Sequence, residues 1–139
     1  MAEARPGPIR AIRRPLSPHL QIYTLSSSMV MSILHRLTGA ALYAGTLLLA
    51  WWLVAAATGP EYFGFVSAIF NSILGRIVLF GYTWALFHHM IGGVRHFIWD
   101  TGAGHDLKSI NLLSLTTLAL SALATASVWI SVMSRGTGG

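Results

Sequence analysis

WALFHHMIGGVRHFIWD, residues 84–100, is the stretch on which the reading of the chain turns. It sets His88, His89, His96 and Arg95 into the second half of a segment that otherwise reads as membrane-spanning. Ionisable groups are rare at bilayer depth because burying them there is expensive, so their presence marks a functional site by default. On a helix turning about 100° per residue, His89 and His96 fall within about 20° of one face. Gly93 lies one turn from His89 on that face, with Gly92 beside it and Ala85 one turn the other way. Small residues around a histidine leave a shallow trough in the helix surface. A flat metal-bearing ring such as haem can lie there with its iron on the imidazole. The alternative is a neutral histidine bonded to a neighbouring helix, with the glycines serving helix packing alone. His88 points about 100° away from His89 and is expected to pack elsewhere.

Composition agrees with a membrane protein. The chain has 139 residues, 54% hydrophobic and only 9% charged, whereas an ordinary soluble domain carries about 25% charged residues. Too few charges are present to cover a water-soluble fold, and the length predicts one domain over residues 1–139. Cysteine is absent, which excludes disulfides, zinc-thiolate sites and cysteine-held iron–sulfur clusters within this chain. The net charge of +5 does not indicate nucleic acid, because the basic residues gather at segment ends rather than in an interleaved patch.

An arm is expected over residues 1–27, where RPGPIRAIRRPLSPHLQIY (5–23) places Arg5, Arg10, Arg13 and Arg14 among four prolines. Proline at that density denies a helix, so the arm reads as an extended segment and topology signal on the inner surface. His19, Gln21 and Tyr23 give it polar handles for a soluble partner or a sister subunit. The first span is expected at about 28–58, with an apolar core of 19 residues, GAALYAGTLLLAWWLVAAA, enough to cross about 30 Å of hydrocarbon. At its near end Ser32, His35, Arg36 and Gly39 share one face. Snorkelling to the headgroups would account for Arg36 alone. A serine and a histidine stacked on the same side point instead to a polar site.

GPEYFGFVSAIF, residues 59–70, reads as a short outer connection without Lys or Arg. The second and third spans are expected at about 74–99 and 110–133, joined by the glycine-rich turn DTGAGHDLKS. Arginines in the arm, with Arg36, Arg95 and Lys108 at the same boundary, predict an N-terminus inside. Arg76 and Arg135 near the outer ends weaken that bias without reversing it. The third span carries Ser and Thr but no ionisable residue, which suits close packing against other helices. The fold class expected is all-α and integral to the membrane, with three transmembrane helices and an extended N-terminal arm.

His35 is expected near the inner boundary, too shallow to oppose His89 across a haem. A second axial ligand would then come from another chain, which predicts a hetero-oligomeric helix bundle. His96 and Arg95, at the boundary, would meet anionic groups such as haem propionates or lipid phosphates.

Three motifs in order, RPLSPHLQIY at 14–23, SILHRLTG at 32–39 and HHMIGGVRHFIWD at 88–100, resemble the cytochrome b membrane-anchor subunit of succinate dehydrogenase, respiratory complex II. The resemblance covers most of the chain and implies haem b, shared with a second small anchor subunit that supplies the other axial histidine. The pattern H-x-x-x-G-x-R-H implies His89 as the iron ligand, with Gly93 in the cofactor site. By the same resemblance Ser32 and Arg36 border ubiquinone, while His35, Arg36 and His96 contact propionates. His88 stands where the family tolerates various residues. Electrons would arrive from an iron–sulfur subunit, and succinate would be oxidised on a separate flavoprotein subunit. The chain itself is therefore expected to hold no catalytic residue for succinate oxidation.

Two other classes share some of these features. A different membrane cytochrome or a fumarate reductase anchor would differ in quinone type or direction. A non-redox scaffold or transporter subunit would use the polar groups for helix contacts or protons. No convincing transit peptide is legible ahead of the arm, which favours a bacterial inner membrane over a mitochondrial one.

Overall fold

In a computed structural model, which describes residues 25–136, four helices follow one another: α1 Ser27–Thr58, α2 Pro60–Asn71, α3 Ile73–Asp100 and α4 Leu107–Gly136. The fold is all-α, with no strand among the described residues. Helices α1, α3 and α4 are long and apolar enough to cross a bilayer. The arm, including the Arg14–Tyr23 motif, lies outside the described residues except for its last three.

Each break has a local cause. Gly59, at φ 145°, ends α1 in a backbone conformation open to glycine, and its N–H reaches the Ala55 carbonyl at 3.4 Å. Pro60 then occupies the first position of α2, where its missing N–H is harmless, and Glu61 sits in the first turn, where the helix dipole favours a carboxylate. The stretch read as a plain connection, 59–70, is thus mostly helix. Its aromatic residues pin it to α1: Trp51 Nε1 donates to the Tyr62 hydroxyl at 2.8 Å, and Trp52 meets Phe63 edge-on at 5.5 Å.

Ser72 separates α2 from α3. Its hydroxyl donates to the Ile69 carbonyl at 2.6 Å and accepts from the Gly75 N–H at 3.1 Å, closing one helix and capping the next. The turn between α3 and α4 uses Gly102 and Gly104, both in the left-handed region, at φ 81° and 76°. Trp99 Nε1 donates to the Gly104 carbonyl at 3.1 Å, and Asp106 caps α4 by accepting from the Ser109 N–H at 3.0 Å. Hydrogen bonds from the Ser109 side chain and backbone hold the Asp106 carboxyl below the usual carboxylate range.

The starts of α1 and α4 meet at the end where α3 finishes, and Ser27 Oγ donates to Asn111 Oδ1 there. The interior shared by the long helices is polar. Thr38, His88, Arg95, Ser114, Thr117, Ser121 and Thr125 are all buried, while Met31, Ala55, Val66 and Ala85 are the buried apolar residues. Leu, Ile, Val and Phe cover the outside. This distribution suits hydrocarbon, where association rests on close packing and hydrogen bonds rather than on expelling water. Small and hydroxyl residues let the backbones approach. Each of the four buried α4 hydroxyls donates to a carbonyl of its own helix, so none is left as an unpaired donor.

Candidate functional site

The histidines of α3 divide between two faces. Ala85, His88, Gly92 and Arg95, spaced three or four apart, form the buried stripe. His88 is fully buried and neither ring nitrogen has a hydrogen-bond partner. Its ring lies 5.0 Å from that of Trp84. Arg95 is also inside, with Nε and Nη1 unpartnered and its guanidinium 4.9 Å over the Trp99 ring. That differs from the expectation that Arg95 faces anionic groups at the membrane boundary. The three- and four-residue spacing from His88 and Gly92 carries it onto the buried stripe.

His89 turns toward α1. Its Nδ1 lies 3.0 Å from the His35 carbonyl and 3.4 Å from Thr38 Oγ1. A carbonyl only accepts, so Nδ1 is the donor in this contact. Nε2 is not among the buried unpaired nitrogens, and the residue is half-buried.

The contact between α1 and α3 is reciprocal. A methyl group at Gly39 would sit 2.9 Å from His89 Cε1, and one at Gly92 would sit 2.6 Å from His35 Nδ1. Each helix thus presents a glycine beneath the other's imidazole. The two rings stack with centroids 4.0 Å apart and planes within 2°. His35 is therefore level with His89, not shallower as its place in the sequence suggests. Rings packed face to face at that distance leave no room for a macrocycle between them.

The other expected residues are distributed as follows. Gly93 faces open space, with nothing within 4 Å of an added methyl, so the trough beside His89 is unfilled by the described residues. His96 is exposed, its ring 5.0 Å from His35. Ser32 is half-buried and Arg36 exposed, one turn apart on α1. Neither has a hydrogen-bond or ion-pair partner among the described residues. Ser32 contrasts with Thr38 and Thr46, whose hydroxyls donate to carbonyls of their own helix.

Residues 10–128 match the family described as the succinate dehydrogenase/fumarate reductase transmembrane subunit. The chain belongs to that family. It is 44% identical over 106 residues to the succinate dehydrogenase cytochrome b556 subunit of Paracoccus denitrificans, covering 76% of this chain and 82% of that protein. The corresponding b556 subunit of Rickettsia felis is 38% identical over 118 residues, covering 85% and 92%. The mitochondrial cytochrome b560 subunit of Sus scrofa is 36% identical over 115 residues, covering 80% and 67%. Within the succinate dehydrogenase family this chain is a cytochrome b membrane anchor, a multi-pass component of an oxidoreductase complex associated with other subunits and the bilayer.

The donor set fits a histidine-held haem. Among the described residues Gly93 leaves an open floor on the face of His89, and one nitrogen of the His89 ring is already fixed by a carbonyl, leaving the other for a metal. Sequence reasoning put Gly39 on the polar face of α1 but gave neither it nor Thr38 a contact with His89. The spacing His35-x-x-x-Gly39 on α1, echoed by His88-x-x-x-Gly92 on α3, was the available signal.

Proposed function

We propose that this chain is the haem- and ubiquinone-binding anchor of succinate:ubiquinone oxidoreductase, serving the citric acid cycle and the respiratory chain. The observation that carries the reading is the contact of His89 Nδ1 with the His35 carbonyl at 3.0 Å, which leaves Nε2 as the ring nitrogen for a metal. His89 would hold the iron of haem b, and a second small anchor subunit would supply the other histidine. Gly93 supplies the open floor of the cofactor site. Arg36 and His96, both exposed, and the half-buried His35 are the groups for the propionates.

Bound haem supplies a one-electron store beside the route from the iron–sulfur subunit to quinone. Ser32 and Arg36 bind the quinone head. The serine hydroxyl, uncommitted among the described residues, donates to a carbonyl oxygen. The arginine's guanidinium stabilises negative charge as it develops there. Succinate oxidation belongs to the flavoprotein subunit. The charge bias of the segment ends supports a cytoplasmic N-terminus in a bacterial inner membrane.

The test is a reduced-minus-oxidised visible spectrum of the purified complex, wild type beside His89→Ala and His88→Ala. A b-type band present in wild type and His88→Ala but absent or shifted in His89→Ala is expected. A band that survives His89→Ala unchanged overturns the ligand assignment.

A further inference from the structure

We propose that Thr38 and Gly39 are positioning residues for His89, forming with the His35 carbonyl a seat on α1 that fixes the tautomer and aim of the imidazole. The inference rests on the reading of His89 as an iron ligand and extends it to residues that touch neither iron nor quinone.

Gly39 makes the seat. In a helix the carbonyl of residue i points toward residue i+4, whose side chain ordinarily stands beside it. With glycine at position 39, the carbonyl of His35 is left uncovered on the face toward α3. His89 Nδ1 reaches it at 3.0 Å. Any side chain at 39 would meet Cε1 of the ring at 2.9 Å, closer than such contacts settle, so the imidazole would have to tilt or the helices part.

Thr38 completes the seat. It is buried, and its hydroxyl proton is directed to the carbonyls of Leu34 and His35 at 2.8 and 3.0 Å. The oxygen therefore offers a lone pair to the same Nδ1–H, at 3.4 Å. The proton of His89 thus meets two acceptors on one helix turn, and the ring is held against rotation. Partners of this kind set ring orientation and raise the basicity of the ligating nitrogen. Their removal typically weakens metal affinity about 10–100-fold.

The experiment uses the intact complex carrying Gly39→Ala, Thr38→Val, Thr38→Ser, His89→Ala or Gly81→Ala. A methyl at Gly81 meets nothing within 4 Å, so that variant controls for a helix glycine changed without contact. Two readouts are taken: haem lost to excess apomyoglobin, and the low-spin g values of the oxidised haem by electron paramagnetic resonance. Gly39→Ala is expected to release haem about 10–100-fold more readily with shifted g values. Thr38→Val is expected to keep haem but shift the g values, and Thr38→Ser and Gly81→Ala to match wild type. If His89→Ala loses haem while Gly39→Ala and Thr38→Val both match wild type, the seat is wrong and the ligand right. If His89→Ala keeps its haem, the ligand reading fails and the seat fails with it. Should Gly39→Ala not assemble, the g values of Thr38→Val against Thr38→Ser decide alone: a shift in the valine variant only supports the seat, and none overturns it.

Discussion

His35 and His89 lie face to face on neighbouring helices, centroids 4.0 Å apart, each over a glycine of the other's helix. One turn of α1 therefore supports the ring proposed to bind iron. Arg36 lies in that turn and Ser32 in the one before it, the two groups proposed for quinone. Replacing His35 by alanine removes the stacked ring but leaves the backbone carbonyl that holds Nδ1. Haem should stay bound in His35→Ala, with a shifted absorption band or midpoint potential. Loss of haem as complete as in His89→Ala would show that the side chain, not the carbonyl, is the support.

Ser32 and Arg36 are expected to separate quinone chemistry from succinate chemistry. Ser32→Ala should raise the apparent KM for a soluble ubiquinone about 2–10-fold, as loss of one neutral hydrogen bond implies. Arg36→Leu should do so about 10–100-fold, since a charged donor is lost. Succinate-dependent reduction of a dye that accepts electrons from the soluble subunits should be unchanged in both. An equal fall in the two activities would place these residues in assembly instead.

His88 is buried with both nitrogens unpartnered, so an apolar side chain should be tolerated in its place. His88→Leu is expected to leave the haem spectrum intact and to hold or raise the melting temperature of the complex. A marked drop in melting temperature would mean that the imidazole is satisfied by a group such as an internal water.

Gly45 admits the Tyr82 ring to the surface of α1, and a methyl there would overlap the ring. Gly45→Ala should destabilise the complex by about 1–3 kcal/mol, the range for overpacking a close contact. A second change, Tyr82→Leu, should recover much of that loss. Thermal unfolding of the two single variants and the double variant measures the coupling. Strict additivity would sink the contact.

Asp106 gives a pH dependence with a definite sign. Hydrogen bonds to Ser109 lower its pKa on folding. The stabilisation is therefore present above the unfolded value and is lost as pH falls through the folded one. Asp106→Asn retains a capping oxygen but removes the charge, so it should flatten the acid limb of the stability curve of the complex. An acid limb identical to wild type would assign that pH dependence to other carboxylates.

The three long helices were legible because apolar runs of this length have few alternatives. The helix at Pro60–Asn71 was not, since its lack of Lys and Arg was read for topology alone. Pro60 and Glu61 were nonetheless ordinary helix-start residues. On α3 the spacing of His89, Gly93 and His96 gave the exposed trough directly. The depth of His35 could not be read, because it depends on the register between α1 and α3, which no local pattern in either helix contains. The charge of Arg95 suggests an outward side chain, whereas its spacing from His88 and Gly92 puts it on the buried stripe. The hydroxyls at 114, 117, 121 and 125 do follow a helical stripe visible in the sequence.

The polar interior of α1, α3 and α4 has a calorimetric consequence. Large heat-capacity changes on unfolding arise when apolar surface passes from protein into water. Here the residues released by separating the helices are largely hydroxyl, amphoteric or very small, and the surrounding medium is hydrocarbon. Separating these helices within the bilayer should therefore show a small heat-capacity increment, leaving stability nearly linear in temperature without a pronounced cold-side decline.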